Sequence, residues 1–187
     1  MDIIEELMII LAISLDIFAV MECQGSLVAK VDKKQLTLLC TILVVGQAVA
    51  LGIGTALSVL LYHYRLGEHE TFLGRVLAAV ILLCMGVRLL LKAWKNEGVN
   101  EHRRDRFDIL EFVKLYARIS IFTLLTGVAF GFLESSVTVI LVLISLMTIL
   151  VTVLGMYTGY RLGFEHKIKA YMAGGILLIV AGIEVMI

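Results

Sequence analysis

"QLTLLCTILVVGQAVALGIGTALSVLL", residues 35–61, runs for 27 residues without a charged side chain. A helix needs about 20 apolar residues to cross the hydrocarbon core of a bilayer, so this stretch alone is long enough to span. Residues 135–160 form a second uncharged run, of 26. Outward from these two, four more apolar segments are interrupted by a few charged residues: 4–26, 72–91, 115–133 and 170–187. The whole chain of 187 residues is 60% hydrophobic with mean hydropathy +1.01, against about 45–50% apolar residues in a soluble domain. In lipid the backbone must satisfy its own hydrogen bonds, which leaves helices or a closed barrel. Barrel strands would alternate over about 10 residues, and these runs do not. The expectation is an all-α integral membrane protein, one membrane domain over 1–187 with six transmembrane helices and the lipid bilayer as its surroundings.

The chain opens "MDIIEE". It lacks the basic n-region and small-residue cleavage site of a signal peptide, so the first segment reads as a retained helix. Formal net charge is zero, but the cations are unevenly placed. Lys30, Lys33 and Lys34 fall in the first loop; Lys92, Lys95, Arg103, Arg104, Arg106 and Lys114 surround the third; Arg161, Lys167 and Lys169 surround the fifth. The alternate loops offer Arg65, with Arg75 just inside a helix. Positive loops stay cytoplasmic, which places both termini outside. Glu97, Glu101, Asp105, Asp108 and Glu111 interleave with the basic third loop, so it reads as a solvated linker, with no nucleic acid partner. Cys23, Cys40 and Cys84 form no CxxC pair and read as packing residues. The four histidines, His63, His69, His102 and His166, fall in loops. There is no nucleophile elbow, P-loop or metalloprotease helix, and no enzyme activity or cofactor is expected.

The two halves of the chain correspond. Ser14 and Gly25 in the first helix match Ser120 and Gly131 in the fourth; Gln47 and Gly54 in the second match Thr148 and Gly155 in the fifth; Gly86 near the end of the third matches Gly182 in the sixth. The offset falls from 106 to 101 to 96, as it would if the second half had shorter loops. Three helices per repeat is an odd number, so the second repeat enters the membrane from the other side. The expected architecture is two inverted three-helix repeats, about 1–92 and 115–187, joined by a cytoplasmic linker over about 93–114. Secondary transporters are commonly built this way, with sites near the midplane at the repeat interface.

Asp16 stands in the middle of the first helix. An ionised carboxylate there costs about 2.5–3.5 kcal/mol on insertion scales, so it should face the bundle interior and a polar partner. Gln47 and Thr148, at the middles of the second and fifth helices, are the candidates. Carboxylate, amide carbonyl and hydroxyl oxygens suit Mg²⁺, Mn²⁺ or Ca²⁺. A protonated Asp16 in a purely structural hydrogen bond is the alternative.

"SLDIFA" at 14–19 resembles the Ser-x-Asp-x-Phe-Ala signature that opens the small bacterial manganese efflux pumps. "GQAVALGIG" at 46–54, "TILVTVLGMYTG" at 148–159 and "AGGILLIVAGIEVMI" at 173–187 resemble that family's second, fifth and last helices. The resemblance implies export of Mn²⁺ across the bacterial cytoplasmic membrane without nucleotide or cofactor, and assigns Asp16 and Gln47 to the cation path. Two positions depart from the family pattern. Phe122 stands where the second repeat should carry its own aspartate, and Leu51 replaces a proline. By the repeat, Asp16 and Phe122 should approach across the pseudo-two-fold axis, with the ring filling the volume of the second carboxylate. Glu22 is an additional acid, read either as a weaker contributor to a shifted metal site or as a salt-bridge partner of Arg88. Three functions follow: an exporter of a divalent cation, most simply Mn²⁺; a transporter of the same fold for another small cation; or a non-transporting scaffold or assembly subunit. A homo-oligomer is compatible with all three.

Overall fold

A computed structural model describes residues 3–28, 33–65, 70–95, 109–133, 136–163 and 166–186. Six α-helices account for almost all of them: α1 (Ile3–Leu27), α2 (Lys33–Arg65), α3 (Glu70–Lys95), α4 (Ile109–Phe132), α5 (Val137–Leu162) and α6 (Lys167–Glu184). Lys30, His69 and the charged residues of 97–108, read above as loop residues, lie outside the described residues. The long uncharged runs form α2 and α5 because, with no water to compete, the i to i−4 ladder is the only way to satisfy their backbone. At 1.5 Å per residue the 26 residues of α5 span about 39 Å, beyond the ~30 Å hydrocarbon core. Three helices are each long and apolar enough to cross a membrane, over Lys33–Leu60, Gly74–Lys95 and Val137–Leu162; α4 carries a shorter apolar stretch, Ile119–Phe132.

The outer surface is apolar. Val45, Val49 and Ile53 of α2, Leu146, Leu150 and Leu154 of α5, and Ile176, Val180 and Ile183 of α6 are all about half exposed. Their three- and four-residue spacing puts each set on one helix face. Apolar surface this continuous has no place in water and fits contact with lipid.

The interior is assembled by pairs: α1 packs on α5 and α6, α2 on α4 and α5, and α3 on α6 and α4. Ile9, Ile13, Ile17, Met21, Leu82, Leu89 and Phe130 fill the core. Glycines let backbones meet at the seams. On α2·α4 a Cβ at Gly54 would run into the Leu124 carbonyl, and on α1·α5 a Cβ at Gly155 would lie 2.8 Å from the Phe18 carbonyl. Gly131 of α4 meets Ser58 and Thr55, and Gly25 of α1 meets Met156. On α3·α6 Gly86 abuts the Gly175 carbonyl and the Ile179 side chain, while Gly182 abuts the Ala79 carbonyl and the Leu83 side chain. Small residues at such crossings are how helices associate tightly in lipid, where no hydrophobic force separates helix from solvent. The chain contains no proline, and each helix is a continuous α-helix over its described length.

Candidate transport site

Asp16 lies on the inward face of α1, only 2% exposed. Its partner comes from neither α2 nor α5. The ammonium of Lys92, in the last turn of α3, donates to Asp16 Oδ1 at 2.9 Å. Sequence reading placed Lys92 at the edge of a water-facing loop. It is instead a helical residue, one-third exposed, whose side chain reaches into the bundle. A lysine can do this because its four-carbon stem carries the charge well away from its own Cα. Asp16 Oδ2 is buried with no hydrogen-bond partner among the described residues.

Phe122 of α4, 2% exposed, comes to the same ammonium. Lys92 Nζ lies 4.7 Å from the Phe122 ring centroid and 5.2 Å from that of Tyr171 in α6. One turn earlier on α3, the Arg88 guanidinium lies 4.3 Å from the Phe122 centroid. All three distances are those of cation–π contacts. Asp16 and Phe122 therefore meet around a shared cation, although α1 and α4 are not principal packing partners.

Gln47 and Thr148 are brought together. Both are 1% exposed, and the Thr148 hydroxyl donates to Gln47 Oε1 at 2.5 Å, with the Ile144 carbonyl as a second acceptor at 2.7 Å. Among the described residues, Gln47 Nε2 finds no hydrogen-bond partner, nor does the Thr152 hydroxyl one turn further along α5, nor do the hydroxyls of Ser120 and Thr123 of α4. In contrast, the Ser14 hydroxyl is spent on its own helix, donating to the Ile10 carbonyl at 2.8 Å.

Glu22 does not reach Arg88. Its Oε1 accepts the backbone N–H of His166 at 3.1 Å, with the imidazole Nδ1 3.4 Å away. His166 is the N-cap residue of α6, where unpaired N–H groups and the helix dipole favour a carboxylate. Because α1 packs against α5 and α6 rather than α3, Glu22 is carried to the start of α6 and Arg88 is left to the Phe122 ring. Glu184 is exposed at the end of α6.

Among the described residues no three His, Cys, Asp or Glu side chains gather as a metal cluster. The structure joins Asp16 to Lys92 and Gln47 to Thr148 as two separate pairs. Lys92, Arg88 and Tyr171 are the site neighbours that sequence reasoning missed. The one available signal was the four-residue spacing of Arg88 and Lys92, which puts two cations on one face of α3.

An apolar-faced helix bundle enclosing an ion pair and a hydrogen-bonded amide defines a multi-pass membrane protein with a polar interior. The chain belongs to the manganese efflux pump family: the family described as "Putative manganese efflux pump" matches residues 30–186. Relatives named "Putative manganese efflux pump MntP" resemble nearly the full length. That of Bifidobacterium longum subsp. infantis is 26% identical, covering 99% of this chain and 94% of the relative. That of Desulfitobacterium hafniense is 28% identical over 98% and 94%, and that of Mannheimia succiniciproducens 29% identical over 93% and 90%. No solved structure matches. The family is one of membrane efflux transporters, not of enzymes.

Proposed function

We propose that this protein exports Mn²⁺ across the cytoplasmic membrane, along a path that includes Asp16, Gln47 and Thr148, within six membrane-spanning helices arranged as two inverted triplets. The observation that carries the reading is the buried carboxylate of Asp16 holding a cation inside the bundle. A carboxylate retained in the middle of an apolar helix is costly and is usually kept for an ion pathway. The family description and the names of the relatives support manganese as the ion.

Support for the inverted triplets comes from reciprocal contacts. Gly155 meets Phe18 as Gly54 meets Leu124, Gly131 meets Thr55 as Gly25 meets Met156, and Gly182 meets Ala79 and Leu83 as Gly86 meets Gly175 and Ile179. Each pair maps onto its counterpart by the offsets of 106, 101 and 96 found in the sequence. Those offsets relate α1 to α4, α2 to α5 and α3 to α6. Under that symmetry, the Gln47–Thr148 bond joins equivalent positions across the axis.

A second reading draws on Lys92 and Arg88. Lys92 already pairs with Asp16, and Arg88 adds a second cation over the neighbouring Phe122 ring; this leaves less room for a divalent ion and favours a same-fold transporter of another small cation or a non-transporting subunit. Manganese tolerance decides between them. In cells lacking their own exporter, the parent should restore growth in excess Mn²⁺ and Asp16→Asn should not. A membrane-inserted parent that gives no tolerance moves the second reading ahead.

A further inference from the structure

We propose that the Lys92 ammonium is a tethered counter-cation: it occupies the cation's place at Asp16 while the site is empty and withdraws when the transported ion binds. This rests on the reading of Asp16 as a residue of the ion path.

Nζ of Lys92 sits between Asp16 Oδ1 at 2.9 Å and the rings of Phe122 and Tyr171 at 4.7 and 5.2 Å. These are a carboxylate and two electron-rich faces, the surroundings that a bound cation would choose. An ammonium is a compact point charge with three donors and no acceptor, so it satisfies the carboxylate without bringing a group that needs a partner of its own. The second carboxylate oxygen, Oδ2, is left buried and unpartnered, so Asp16 is held from one side only. Lys92 is on the last turn of α3 and one-third exposed, with a stem flexible enough to swing out along the helix end. The Arg88 guanidinium remains against Phe122 at 4.3 Å and keeps a fixed positive charge beside the site. An incoming ion must displace the ammonium, and once the ion leaves, the ammonium returns. The empty carboxylate is therefore never left uncompensated in the bundle, and the protein's own side chain competes with its cargo.

Competition predicts that removing the ammonium tightens metal binding. Purified full-length protein in lipid nanodiscs would be titrated with Mn²⁺, reading the free ion by its electron paramagnetic resonance signal. Lys92→Met should bind with a Kd about tenfold lower than the parent, the scale of coupling within one ion-pair network. Lys92→Arg, which keeps the charge and offers five donors in a planar fork, should bind no more tightly than the parent. Asp16→Asn should lose binding. If Asp16→Asn loses binding but folded Lys92→Met binds no more tightly than the parent, the tether is overturned and the Asp16 path stands. If Asp16→Asn binds as the parent does, the path itself falls. A measurement on the unaltered protein guards against a misfolded variant: Mn²⁺ should raise the rate at which a water-soluble acetylating reagent modifies Lys92, followed by mass spectrometry. A rate unchanged by saturating Mn²⁺ overturns the tether.

Discussion

Gln47 and Thr148 are hydrogen-bonded to each other, and they stand 101 positions apart, the offset that also separates Gly54 from Gly155. The bond is asymmetric in its alternatives. The Thr148 hydroxyl has the Ile144 carbonyl in reserve at 2.7 Å, whereas the Gln47 amide has no other partner among the described residues.

Thr148→Val should therefore cost about 1 kcal/mol of stability, the scale of an interhelical hydrogen bond in a membrane, because it orphans a buried amide on both its atoms. Gln47→Leu removes the amide and its unpaired nitrogen together and should leave stability near the parent's. Both should impair manganese export. Thermal unfolding in detergent, set beside efflux, separates the two effects.

Restoring an aspartate at Phe122 should not restore a two-acid site by itself. Arg88 and Lys92 both lie over that ring, so a carboxylate at 122 would meet cations already in place. Phe122→Asp alone should leave manganese tolerance unchanged, and Phe122→Asp combined with Lys92→Met should raise it above either single variant. Growth across a manganese series is the measurement.

The glycine seams predict matched costs. Gly54→Ala and Gly155→Ala would each drive a methyl into a facing carbonyl, so both should lower the unfolding temperature by similar amounts. Gly52 has nothing within 4 Å of a new Cβ; Gly52→Ala should be neutral or stabilising by about 0.5–1 kcal/mol through helix propensity.

Glu22 caps α6 from a neighbouring helix. Glu22→Leu should cost about 1 kcal/mol, as loss of an N-terminal cap does, and should speed amide exchange at His166. The KM for manganese should stay at the parent value. A raised KM with unchanged exchange would instead place Glu22 in the ion path.

Cysteine accessibility tests the orientation. Lys33→Cys, in a background lacking the native cysteines, should resist an impermeant thiol reagent added to whole cells and react once the membrane is opened.

The cores of α2 and α5 were legible because uncharged runs of 27 and 26 residues leave the backbone few choices; the ends of the charged-flanked helices were not, since α3 runs on to Lys95 and α4 begins at Ile109. Gln47 and Thr148 were legible as buried polar residues at the middles of α2 and α5, but they were read as partners of Asp16, and they bond to each other instead. The Asp16 partner was not legible. Counting positive charges sends every lysine at a helix end into water, and the count cannot see a four-carbon stem folding back into the bundle. Glu22 failed differently. Arg88 stood near the same end of the bundle, but depth does not specify which helices are neighbours, and α1 turned out to lie against α6.

The absence of proline in six unbroken helices has a mechanical consequence. Proline is a common cause of helix kinks, and this chain has none. If the protein exports its ion as proposed, opening one side of the bundle and closing the other would then fall mainly between helices that are continuous over their described lengths. The bare backbone at Gly54, Gly86, Gly155 and Gly182 would serve as a set of bearings between rods. A bulky side chain at any of them should jam such a cycle even where the protein still folds.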